Sequence, residues 1–218
     1  MSDMECGGGR SHPPPLGFDH AHIESVVFSG GGVRGVAFCG ALMALRALFP
    51  PPQDDPLPPI LPNLKRAAGT SVGAIFACAC ALRVSSERLF QLLDSEAILE
   101  GLAPKVDLNQ LHRSYGLDTT QRLREGVQRV LEIGLPPWGV ESDRAATLTM
   151  EQLCDLTGVD VSVCTTRVGG VAPGVADLPE SEILSPHSTP RLPVVDALVM
   201  SMAVPVLYQP TYVNAFVT

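Results

Sequence analysis

Charged side chains are scarce in this chain, 17% of its 218 residues against 45% hydrophobic ones. The shortage marks a globular protein with much buried surface, at a length that one domain accommodates. Bases are the scarcer sign, 15 against 23 acids, for a net charge of −8. That balance argues against nucleic acid as a general partner, because phosphate binding needs a basic face. Among the six cysteines, at positions 6, 39, 78, 80, 154 and 164, no Cys-x-x-Cys pair occurs and no cysteine–histidine spacing suits zinc. Free, buried thiols in a reducing compartment are expected, with no metal. His12, His20 and His22 likewise lack cysteines or carboxylates at ligand spacing. Residues 1–22 hold no apolar stretch of the signal-peptide kind, and the uncharged run 72–82 is too short to span a bilayer. These absences predict an intracellular protein, cytoplasmic or peripherally attached to a membrane, without a transmembrane helix.

What the chain does contain is an alternation of short apolar strands and helices, without internal repeats. Residues 1–22, with Gly7-Gly8-Gly9 and Pro13-Pro14-Pro15 among polar neighbours, read as a disordered tail. A buried strand at Val26-Val27-Phe28 leads into Gly30-Gly31-Gly32-Val33-Arg34-Gly35. A helix follows, with Phe38, Ala41, Leu42, Leu45, Leu48 and Phe49 as its core stripe. Pro50-Pro51-Pro52 stops it and opens a proline-rich surface loop to residue 62. Pro56 and Pro59 form a Pro-x-x-Pro there, but the loop has no arginine to support a recognition-domain ligand.

A second strand, 64–68, runs into Gly69-Thr70-Ser71-Val72-Gly73 and an uncharged helix. Ser85 or Ser86 can cap the next helix, which buries Leu89, Leu92, Leu93 and Ala97. Asp118 with Gln121 resembles a capping box for a helix over 119–133, with Leu123, Val127, Val130 and Leu131 inward. Thr149 with Gln152 forms another such pattern, for a helix through residue 156. The alternation at 159–166 predicts a strand, and Ile183-Leu184 a shorter one. A short apolar helix at 196–202 precedes one or two closing strands over 206–217. The expected fold is α/β, three layers with a largely parallel central sheet and right-handed crossovers, in one domain over 23–218.

Both glycine motifs follow a strand and precede a helix. The first satisfies Gly-x-Gly-x-x-Gly, the dinucleotide pattern, which also asks for an acidic residue at the end of the next strand. Asp54 and Asp55 fall in the proline-rich loop, and the strand end is held by Gly69-Thr70-Ser71 instead. Nothing is left to hold a ribose, so no nucleotide is expected. The second motif is a Gly-x-Ser-x-Gly elbow between strand and helix, where Ser71 is either a nucleophile or a helix cap. Adjacent strand ends converge at one edge of a parallel sheet. A triple glycine there lets backbone N–H groups approach a carbonyl that the serine attacks, the arrangement ester hydrolysis needs.

Gly30-Gly31-Gly32-Val33-Arg34-Gly35 followed by Gly69-Thr70-Ser71-Val72-Gly73-Ala74 resembles the patatin-like phospholipases, a family of lipid acyl hydrolases. The stretch 148–153 is similar to the family's "TF-x-x-L" segment, and Ser201-Met202-Ala203-Val204-Pro205 to its "S-x-A-x-P" region. The resemblance covers roughly residues 23–218. It implies Ser71 as nucleophile and the amides of Gly31, Gly32 and Val33 as an oxyanion hole. Arg34 either sits beside that hole or is a surface charge at a helix start. Gly30, Gly35, Gly69 and Gly73 are then the motif glycines. A lipid ester substrate is implied, met at a peripheral membrane or lipid-droplet surface, with no cofactor, metal or nucleotide.

The family pairs its serine with an aspartate in an Asp-Gly motif shortly after "S-x-A-x-P", and residues 206–218 contain none. His112 and His187 are expected to be ordinary surface or loop residues, and neither Asp160 nor Asp196 sits in the right motif. A serine without a positioned base loses several orders of magnitude in rate. The implied protein is C-terminally incomplete, a fragment or a natural short form, with weak or lost activity. The alternative is a catalytically inactive lipid-binding or interaction protein that retains the fold.

Overall fold

The computed structural model describes residues 23–48, 61–93, 106–107, 111, 113, 115–167 and 179–211. The tail 1–22, most of the proline-rich loop, His112 and residues 212–218 lie outside the described residues. In chain order the elements begin with β1 (Ser25–Phe28), a 3-10 turn (Gly32–Gly35), α1 (Val36–Leu48), β2 (Arg66–Thr70), α2 (Val72–Ala81) and α3 (Ser86–Leu93). There follow β3 (Gly116–Asp118), α4 (Gln121–Gly134), α5 (Met150–Thr157), β4 (Asp160–Arg167), β5 (Glu180–Leu184), α6 (Val194–Met202) and β6 (Val206–Tyr208).

The main sheet has the order β1-β2-β4-β5, parallel except for the last strand. This is the mixed α/β architecture with a mostly parallel sheet that the alternation of elements predicts. Its register places Phe28 beside Gly69 and Gly69 beside Val163, one buried row on one face. On the opposite face Val27 is 76% exposed. The core sits under the first face, around α2. Every α2 residue except Cys80 is buried, as a helix that is apolar all round requires. It packs on β1, β2 and β4, with α4 and α6 against its remaining sides. Full burial of Ile75 and Phe76 contributes about 1.5–3 kcal/mol each.

Amphipathic α4 buries the predicted stripe of Leu123, Val127, Val130 and Leu131. Its start differs from expectation. Asp118 belongs to β3, where it pairs with Tyr208 of β6, and Thr120 takes the cap position without a side-chain bond. Gln121 instead reaches Glu125, at 2.8 Å. On α5 the reciprocal capping box does form: Gln152 N donates to Thr149 Oγ1 at 3.2 Å and Thr149 N to Gln152 Oε1 at 3.1 Å. Gly158 then ends the helix in the left-handed region, φ 70°. The α1 stripe is shifted. Cys39 and Leu42 are its buried residues, Phe38 and Leu45 pack partly, and Ala41 and Leu48 face outward.

Candidate active site

The two glycine motifs lie side by side, because the register sets the end of β1 against the end of β2. At the elbow both glycines are sterically compelled. A Cβ on Gly69 would come within 2.3 Å of the Gly73 carbonyl carbon, and one on Gly73 within 2.4 Å of the Phe28 carbonyl oxygen. A Cβ on Gly35 would meet the Val72 methyls at 2.7 and 2.8 Å, so the first helical turn of each motif also packs against the other. A Cβ on Gly30 would sit at ordinary van der Waals range, 3.6 Å from the Ser71 Cβ.

Ser71, half-buried, holds φ 55° and ψ −128°, a backbone region that L residues rarely occupy and that costs on the order of 1–3 kcal/mol. It occupies the N-cap position of α2, yet its side chain makes no capping bond. The cap explanation for this serine is therefore the weaker one. Its amide donates to Ser201 Oγ at 2.8 Å, and Ser201 Oγ donates to the Cys164 carbonyl at 2.5 Å. One hydroxyl from the end of α6 thus ties the elbow to the end of β4. Among the described residues no hydrogen bond reaches the Ser71 hydroxyl.

The loop beside the elbow is built differently. Gly31, Gly32, Val33 and Arg34 are all exposed, and Gly32 sits at φ 54°. Arg34 N donates to the Gly31 carbonyl at 3.1 Å, closing the 3-10 turn. The amides of Gly31, Gly32 and Val33 donate to no backbone acceptor among the described residues. Successive unpaired amides on a turn are a place for negative charge. The model for patatin-like phospholipases matches residues 26–215, across both motifs and the strands and helices that carry them. The chain belongs to the patatin-like phospholipase family.

Solved structures share its fold. VipD from Legionella pneumophila superposes with a TM-score of 0.58 at 17% identity, covering 86% of this chain and 43% of that one. ExoU from the type III secretion system of Pseudomonas aeruginosa, in complex with SpcU, gives 0.52 at 20% identity, covering 84% and 38%. The chain thus spans about two fifths of the length of these proteins. Among curated proteins no sequence matches significantly.

The carboxylates that the sequence draws attention to are placed elsewhere. Asp160 pairs in register with Arg66, four residues below the Thr70–Cys164 pair, so it stands about 13 Å from the elbow edge along the sheet. There it contacts His187 Nε2 at 2.9 Å. Asp196 lies on α6 and is engaged by Arg124. Segment 212–218, past the "S-x-A-x-P" region, lies outside the described residues. The described cysteines are free; Cys39 and Cys78 are buried, whereas Cys80, Cys154 and Cys164 are only half-buried, short of the burial expected of all. Burial pushes the Cys78 thiol up to about 12, which leaves it no useful thiolate at neutral pH. Among the described residues no group of histidine, cysteine or carboxylate side chains is arranged to hold a metal ion, and no helix is long and apolar enough to cross a membrane. Ser201 is the site residue that sequence reasoning did not assign a role. Its only signal is its place in the "S-x-A-x-P" stretch, which says nothing of the bond to Ser71.

Proposed function

We propose that this patatin-like chain is a lipid acyl hydrolase in which Ser71 is the nucleophile. The observation that carries the proposal is the strained Ser71 backbone, held by glycines with no room for a Cβ, beside three amides that donate to no backbone acceptor among the described residues. Ser71 Oγ bonds to the ester carbonyl carbon as its proton passes to solvent water, and the carbonyl oxygen takes the negative charge. The amides of Gly31, Gly32 and Val33 stabilise that oxyanion, with Arg34 beside them. Collapse breaks the ester C–O bond, the leaving alkoxide takes that proton back from solvent, and water then attacks the acyl-serine to release the carboxylic acid and restore the Ser71 hydroxyl.

The substrate is a lipid ester met at a membrane or lipid-droplet surface. In support, Val33 and Val36, at the start of α1 next to the glycine loop, are 85% and 44% exposed, and Met43 and Leu48 further along the helix are 43% and 51% exposed. Apolar side chains at these exposures suit a non-polar surface better than water.

A second reading, a lipid-binding protein with little or no turnover, is favoured by the absence of any described carboxylate bonded to Ser71. Hydrolysis of p-nitrophenyl butyrate and of phosphatidylcholine vesicles, compared between this chain and Ser71→Ala, separates the two. Slow release that vanishes in Ser71→Ala is expected. Equal rates in both proteins would refute the hydrolase proposal, and vesicle binding without turnover would establish the second reading.

A further inference from the structure

The opposite end of α2 carries a feature that ester hydrolysis does not use. A surface cavity of about 630 Å³ opens there, within the range of small-molecule sites. Ten residues of helix place it about 15 Å from the elbow. Three arginines line it: Arg46 from the last turn of α1, Arg83 just past α2, and Arg88 from the first turn of α3. Glu87, the acidic residue of the lining, pairs with Arg46 at 3.1 Å. Among the described residues the lining therefore carries three bases and one acid, in a chain whose acids outnumber its bases 23 to 15.

Arg83 is the informative residue. Val84 N donates to the Ala79 carbonyl at 2.9 Å, the 6→1 bond of a Schellman helix end, which makes Arg83 the residue in the left-handed position, φ 57°. Glycine is the usual occupant there because a Cβ is strained. An arginine stands there in this chain, and its guanidinium lies over the Trp138 ring, 5.2 Å from the centroid. Trp138 is fixed in turn by donating from Nε1 to the Leu82 carbonyl at 3.0 Å. Strain that persists under such fixation is a reason to look for function.

We propose that this cavity is a second binding site, for a phosphate monoester. Guanidinium forks match the oxygens of a phosphate dianion in pairs, which an ammonium group does not. Ile133, Pro137 and Val84 give the cavity an apolar wall for the organic part of the ligand. The ester is either a soluble molecule or the headgroup of a lipid; the phosphate chemistry is the same.

Isothermal titration with inositol 1,4,5-trisphosphate tests the soluble source. Co-sedimentation with phosphatidylcholine vesicles, with and without phosphatidylinositol 4-phosphate, tests the lipid source. Saturable binding in either arm is expected, weakened about tenfold or more in Arg88→Glu, the size of one lost charge-assisted contact. Arg83→Gly should weaken binding similarly while raising the melting temperature, since it relieves the left-handed strain. No phosphate-dependent binding in either arm, or binding that both variants retain in full, would overturn the proposal. Binding is read without turnover, so the outcome stands independently of whether Ser71 is acylated.

Discussion

The elbow and the loop beside it are both rich in glycine, for opposite reasons. At Gly69 and Gly73 the absent side chain is a packing demand: backbone atoms stand 2.3–2.8 Å from where a Cβ would go. At Gly31 and Gly32 there is open space. The nearest neighbour of a Cβ on Gly31 is the Arg34 Cβ at 3.7 Å, and one on Gly32 would meet nothing within 4 Å. The first pair welds a strained serine into the core, and the second leaves amides bare. A hydrolase needs both, a rigid attacker and an accessible place for charge.

The contrast makes graded predictions. Gly73→Ala forces a methyl into the Phe28 carbonyl and should destabilise by about 3 kcal/mol or more, or abolish folding, as judged by thermal unfolding. Ser201→Ala leaves the Ser71 amide and the Cys164 carbonyl without their shared hydroxyl, at a cost of about 1–3 kcal/mol. A Ser201→Ala protein as stable as the parent would mean that the elbow is held by packing alone. Ser71→Gly relieves the backbone strain and should stabilise by about 1 kcal/mol after the entropy of the extra glycine is counted. Loss of stability there would remove the strain argument. Gly31→Ala, with space for its methyl, should change stability far less than Gly73→Ala, by about 1 kcal/mol at most. If it unfolded the protein, the distinction between the two glycine pairs would fail.

The sequence made the elbow, the glycine loop and most elements legible because those signals are local. Gly-x-Ser-x-Gly fixes a turn within five residues, and the α4 stripe and α5 cap repeat within a turn or two. What it hid depends on distant partners. Gly116–Asp118 carries no strand pattern and becomes one by pairing with Val206–Tyr208, ninety residues on; that pairing also takes Asp118 away from the helix cap it resembles. The α1 stripe holds at Phe38, Leu42 and Leu45 but not at Ala41 and Leu48: Val36–Leu48 has a single charged residue, Arg46, so nothing polar marks the outer side. Ser201 could be placed in a motif but not against Ser71, since that contact spans 130 positions. The cavity at the other end of α2 was invisible for the same reason: Arg46, Arg83 and Arg88 meet only in the fold.

The central claim is that Ser71 is a nucleophile. Incubation of the chain with a fluorophosphonate probe, followed by mass spectrometry of the modified peptide, tests it most directly. An adduct on the Ser71 peptide is expected, slow to form and absent in Ser71→Ala. No adduct on the folded protein, or one that persists in Ser71→Ala, would contradict it.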